Sequence, residues 1–157
     1  YCKDVDRKDS YPHEKFDFLG YTFRPRGSKN RWGNVYVNFS PAVSDKAVKH
    51  MCQTIRSWRL HLRSNKEIED LSQMYNPIIK GWVNYYGEYY KSGIYPTFRM
   101  LNRILEKWSM RKYKKLRGHR RRAKYWLGRI AYQKPELFAQ WQILGVRPAK
   151  GWTKGAV

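Results

Sequence analysis

Asp4, Asp6 and Asp9 are the right donors to gather a divalent cation, but Lys3, Arg7 and Lys8 stand between them. Alternating signs of that kind read as a solvated segment rather than a ligand cage. His13, His50, His61 and His119 are scattered, with no H-x-x-x-H or Cys-His cluster at metal spacing. No Ser, Cys or Lys has a base at a recognisable spacing, and no glycine belongs to a P-loop. The sequence therefore predicts neither catalytic nor metal-binding residues in this chain, and no cofactor.

Cations are another matter. The 157 residues hold 33 Lys and Arg against 12 Asp and Glu, a net charge of +21. From Arg111 to Lys124 there are 9 basic residues and no acid. Such density repels itself in water and implies an anionic partner. At 100° per residue, Arg99, Arg103, Lys107, Lys114 and Arg117 fall in an arc of about 80° on a helix predicted over 96–117. Cations every four residues stand about 6 Å apart, comparable to phosphate spacing along a nucleic-acid strand. Arg111 and Lys115 add to the density, and Arg120, Arg121, Arg122, Lys124 and Arg129 carry it past Gly118. Three consecutive arginines point in different directions on a helix, so only some of them can meet one strand.

The elements that must position these cations are mostly helical. Ser44 is a good N-cap, and Val48, Met51, Cys52, Ile55, Trp58 and Leu62 recur at helical spacing, predicting a helix over 45–62. A second begins after Asn65, is interrupted or restarted at Asn76-Pro77, and continues to about Tyr90. Its Trp82, Tyr85, Tyr86, Tyr89 and Tyr90 share an arc with Ile78 and Ile79, which reads as core packing rather than base stacking. Phe98, Leu101, Leu105, Trp108 and Leu116 form the apolar stripe of the helix over 96–117, which Gly118 caps. Another helix follows His119, with Ala123, Trp126, Leu127, Ile130 and Ala131 inward. Before the helices, Phe16 to about Arg24 reads as a strand ended by Pro25, with Phe16 and Phe18 on one face and Leu19, Tyr21 and Phe23 on the other. Asn34 to Phe39 alternates as its returning partner, making a β-hairpin whose loop holds Trp32, a candidate for stacking.

Apolar runs are far shorter than the roughly 20 residues of a membrane-spanning helix. Cys2 and Cys52 form no disulfide framework, a usage that suits a reducing, cytoplasmic setting. The chain opens on Tyr1 rather than Met and reads as a piece of a larger protein.

Taken together, Tyr1-Cys-Lys-Asp4, Phe16-Asp-Phe-Leu-Gly-Tyr-Thr-Phe-Arg-Pro-Arg26, Gly81-Trp-Val-Asn-Tyr-Tyr86, Lys112-Tyr-Lys-Lys-Leu-Arg117 and Arg121-Arg-Ala-Lys-Tyr-Trp126 resemble the C-terminal part of group II intron-encoded reverse transcriptase/maturases. The resemblance implies a mainly α fold: a helical thumb/maturase (X) bundle over 41–144, preceded over 1–40 by a β-hairpin from the end of the reverse transcriptase palm. Residues 145–157 are expected to be an irregular tail. It further implies that Leu19, Gly20 and Tyr21 form a primer-grip-like element, that Arg24 and Arg26 meet the template or primer backbone, and that the basic residues from Arg99 to Arg129 bind intron RNA. The implied partners are group II intron RNA, a template–primer duplex and the upstream finger-palm region. The family's catalytic Asp pair lies upstream and no Asp-Asp occurs here, so Mg2+ chemistry would belong to that missing region. No Cys-rich HNH segment follows, which resembles members without DNA cleavage of their own.

Overall fold

A computed structural model describes residues 14–145. Three antiparallel strands, β1 (Phe16–Phe18), β2 (Tyr21–Lys29) and β3 (Val35–Val43), form a sheet of order β1-β2-β3. Five α-helices follow: α1 (Asp45–Ser57), α2 (Ile68–Tyr86), α3 (Tyr95–Lys112), α4 (Arg120–Gln133) and α5 (Ala139–Leu144), with single 3-10 turns at Leu60–Leu62, Lys91–Ile94 and Lys114–Leu116. The mainly helical fold with a small N-terminal β element is as expected.

The hairpin is a three-stranded meander instead. Leu19 (φ 48°) and Gly20 (φ 79°) are both left-handed, so the chain reverses between Phe18 and Tyr21, which pair across the turn. A two-residue turn with positive φ at both positions suits the twist of a hairpin, but Leu is an uncommon occupant. The reversal brings Phe16 onto Phe23, stacked at 4.9 Å, so these rings share a face rather than opposing each other. Pro25 lies inside β2 opposite Phe39. It is tolerated because β1 pairs no further than Phe23, leaving β2 a single neighbour there.

Helix α1 begins as predicted: Ser44 Oγ accepts the Ala47 N–H at 3.2 Å. It stops five residues short of Leu62. Arg59 turns left-handed (φ 47°), which swings Leu60 into the core and leaves Leu62 exposed. Helix α2 runs unbroken through Pro77. Its neighbour Asn76 shows why that stretch stays put: the Asn76 amide donates to the Leu137 carbonyl at 3.1 Å and its Oδ1 accepts the Ala139 N–H at 2.9 Å. Ser72 donates to the same carbonyl. Asn76 thus caps α5 from another helix, and α5, which the periodicity did not reveal, buries Trp141 and Leu144 beside Phe138.

The core gathers Met51 and Ile55 of α1, Leu71 and Ile79 of α2, Phe98, Leu101, Leu105 and Trp108 of α3, Leu127 and Ala131 of α4, and Trp141 of α5. Trp58 stacks on Tyr75 at 4.4 Å and on Trp82 at 5.8 Å. The tyrosine run behaves differently from a core stripe. Helix α2 ends at Tyr86, so Tyr89 and Tyr90 leave its face, and Tyr85, Tyr89 and Tyr90 are exposed. Their work is to hold the sheet: the Tyr21 ring lies 5.4 to 5.7 Å from those of Tyr85, Tyr86 and Tyr89.

Burial raises the phenol pKa of Tyr21, with neighbouring Tyr85 adding to it, and burial does the same to Tyr86. Tyr113 is raised by burial first and by the Glu67 carboxylate second. Each shift favours the neutral phenol in the folded chain. The stability it contributes is complete below the ordinary value of about 10 and is lost as pH rises through the folded values. The thermal midpoint should hold level to about pH 9.5 and fall above about pH 10, less steeply in Tyr21→Phe/Tyr86→Phe. A midpoint that stays level through that alkaline range would contradict the burial argument.

Candidate nucleic-acid interface

The cationic row on α3 arises because its apolar and basic residues keep separate arcs. Phe98, Leu101, Leu105 and Trp108 are fully buried, while Arg103, Lys107 and Arg111 are exposed and Arg99 is half-buried. The row advances about 6 Å per step. It ends at Arg111. Lys114 and Arg117 do not extend it, contrary to the predicted helix over 96–117, because α3 stops at Lys112 and Tyr113 is extended.

The stop has a visible cause. Lys112 Nζ donates to the carbonyls of Ser64 (3.3 Å) and Lys66 (2.8 Å) and to the Glu67 carboxylate (2.6 Å), tying the end of α3 to the start of α2. Tyr113 then packs 5.0 Å from Trp126, and Leu116 is buried by the following 3-10 turn rather than by α3. Gly118, at φ +74°, turns the chain into α4 instead of capping α3. Lys114, Lys115 and Arg117 stand exposed on this connection.

Helix α4 brings a second set of cations against the first. Arg99 and Arg103 of α3 and Arg120, Arg121 and Lys124 of α4 line a groove of about 530 Å³ together with Asn102 and Glu106. Five cations thus surround one acid. Glu106 is buried, and Arg120 Nε stands 3.8 Å from its Oε2. Since Arg120 is 73% exposed, that pair adds little stability; its effect is to place a counter-charge at the groove's base. Arg122 and Arg129, seven residues apart, project about 180° away from Arg120 and lie on another face of α4. Arg121 also leans over the Tyr125 ring at 5.7 Å.

Beyond Arg103 lies a second groove of about 520 Å³, with Ile55, Leu60, Met100 and Ile104 among its lining and Arg56, Lys107 and Arg120 at its edge. Arg56 is absent from the sequence-predicted set. Only its position outside the apolar arc of α1 hinted at it. Asn102 is likewise new: it occupies a core position, and its Oδ1 accepts the Trp141 Nε1–H at 3.2 Å and a Gln140 amide hydrogen at 3.4 Å. The groove between α3 and α4 therefore rests on α5.

The predicted primer-grip-like residues lie apart from both grooves. Leu19 is exposed at the β1–β2 turn, and its carbonyl accepts the Tyr85 hydroxyl at 2.8 Å. Tyr21 is buried and donates its hydroxyl to the Tyr85 carbonyl. A Cβ on Gly20 would meet the Tyr86 hydroxyl at 2.7 Å, so glycine serves both the positive φ and the close approach. Arg24 is exposed. Arg26 is half-buried, donates to the carbonyls of Ser40 (3.2 Å) and Thr22 (3.1 Å), and lies over Tyr90 at 5.5 Å.

Among the described residues, no group of three or more His, Cys, Asp or Glu gathers as a metal site. Asp4, Asp6, Asp9, His13 and Cys2, the opening Tyr1–Asp4 phrase and the tail from 146 lie outside the described residues. Also among the described residues, no helix is long and apolar enough to cross a membrane.

A family model described as "Group II intron, maturase-specific domain" matches residues 48–126, which span α1 to the middle of α4 and include both grooves' cations. Comparison with curated proteins gives no match, and comparison with solved structures gives none.

Proposed function

Because the chain belongs to the group II intron maturase-specific domain family, we propose that it binds group II intron RNA through the groove between α3 and α4. There it screens phosphate repulsion while the RNA reaches its splicing-active fold. The observation that carries this reading is the meeting of five cations from two helices around a single buried acid. Charged faces that merely keep a helix soluble usually mix signs, whereas the accessible charges of this groove are all positive. Splicing chemistry stays with the RNA, to which the protein contributes fixed cations.

The test is affinity for a structured group II intron RNA as a function of salt. Each phosphate neutralised changes log K by about 0.7 to 0.9 per unit of log salt, so the five groove cations with the exposed Lys107 and Arg111 of the adjoining α3 row predict a slope of about −5 to −6. A flat dependence would defeat the electrostatic reading.

The exposed Leu19 tip and Arg24 favour a second reading, contact with a template–primer duplex as the thumb and primer grip of an RNA-directed DNA polymerase whose palm lies upstream. DNA synthesis and splicing, scored separately after the chain is joined to such a palm, separate the two.

A further inference from the structure

The loop joining β2 to β3 is basic and aromatic, and the α3–α4 groove makes no use of it. Asn30 orders it. Its Oδ1 accepts the N–H groups of Trp32 (3.0 Å) and Asn34 (2.9 Å), its own N–H donates to the Asn34 carbonyl (3.0 Å), and its carbonyl accepts the Gly33 N–H (3.0 Å). Four hydrogen bonds therefore fix a five-residue loop before anything binds.

Trp32 is nevertheless 71% exposed at this ordered position. An indole is among the largest apolar groups a fold can bury, and this one is left outside. The Arg31 guanidinium lies 4.1 Å from its ring centroid, covering one face and leaving the other open. Lys29 and Arg31 are both exposed. No acid occurs between Asp17 and Asp45, so the loop and the two strands it joins carry only positive charge.

A flat aromatic face on a pre-ordered loop, backed by a guanidinium and flanked by cations, suits an unpaired nucleobase with its phosphates. Bases stack on such platforms regardless of sequence, whereas paired bases keep their faces inside the duplex. An acidic protein surface would answer the cations alone, whereas a nucleotide answers both the cations and the exposed indole face. We propose that Trp32 is a stacking site for an unpaired nucleotide of the bound RNA, with Arg31 and Lys29 on the adjoining phosphates. The inference rests on the reading of the chain as RNA-binding, and adds to it a single-strand contact at the far end of the sheet.

The experiment compares the full chain with Trp32→Ala and Trp32→Phe, using a labelled ten-nucleotide single-stranded RNA and a blunt RNA duplex as probes. Trp32→Ala should weaken the single strand about 5- to 150-fold, the range of one lost base–aromatic stack, and the duplex less than about twofold. Trp32→Phe should stay within about threefold of the parent on both probes, because a phenyl ring still stacks. Unchanged single-strand affinity in Trp32→Ala, an equal loss on the duplex, or no rescue by phenylalanine would each overturn the proposal. Failure of the groove reading looks different: Arg103→Glu/Arg121→Glu, which reverses two groove cations, would bind the duplex as tightly as the parent, while Trp32→Ala would still lose the single strand.

Discussion

Reversing the charge of the α3 row, Arg103→Glu/Lys107→Glu/Arg111→Glu, should weaken binding to structured intron RNA by about two orders of magnitude near 0.1 M salt and flatten the salt slope by roughly 2 to 3. All three side chains are exposed, and the apolar arc behind them, from Phe98 to Trp108, is untouched. Helical circular dichroism should therefore persist. The reversed residues, spaced i, i+4, repel one another by about 0.2 to 0.5 kcal/mol per pair, as the three cations of the parent already do. The neutral variant Arg103→Gln/Lys107→Gln/Arg111→Gln removes that complication. It should lose the same slope with a smaller loss of affinity. Should the neutral variant keep the parent's slope, the exposed α3 row does not meet phosphate; the groove, which holds only Arg103 of these three, is tested by Arg103→Gln/Arg121→Gln/Lys124→Gln, and an unchanged slope there would defeat it.

Trp141→Ala should cost about 3 to 5 kcal/mol of stability, the usual range for deleting a large core aromatic. Trp141 is 1% exposed, packs edge-on against Phe138 at 4.8 Å, and donates its indole hydrogen to Asn102. Its loss leaves a cavity and removes the Trp141 donor from the buried Asn102 amide oxygen, which also accepts from Gln140. Asn102 lies in the lining shared by Arg99, Arg103 and Arg121, so RNA affinity should fall as well, although Trp141 itself lies behind the groove. Trp141→Phe, which keeps most of the volume, should cost markedly less. Chemical denaturation of the three proteins checks the order; equal stabilities would mean that α5 is not part of the cooperative unit.

Much of this architecture was legible because helical periodicity is local. Ser44 announced α1, and Met51 and Ile55 announced its buried face. The alternation of Phe98, Leu101, Leu105 and Trp108 with Arg99, Arg103 and Lys107 gave both the core side and the cationic side of α3. What escaped depends on partners distant in the chain. Nothing local says that Lys112 will be clasped by Ser64, Lys66 and Glu67, and that clasp ends α3 before Lys114. Leu19 in a left-handed turn defies its own preference, so the reversal into β2 was hidden within an apparently continuous strand. The tyrosines after Trp82 fitted a core stripe until Gly87 ended α2 and released Tyr89 and Tyr90. Of the candidate cations, the residues themselves could identify the population; only the crossing of α3 and α4 selects Arg99, Arg103, Arg120, Arg121 and Lys124 to face one another.

The capping of α5 by Asn76 bears on the time course of folding. Its two bonds close loops of 61 and 63 residues and that of Ser72 one of 65, among the most non-local of the described residues, and a six-residue helix has no independent stability with which to wait for them. Contacts of such high order form slowly. Helices α1 to α4 can collapse from nearer neighbours, and α5 docks afterwards onto a surface already present. In a chain made from its N-terminus, the last of the described helices to be synthesised is then also the last of them to close, and the support beneath Asn102 arrives after the groove cations above it are in place.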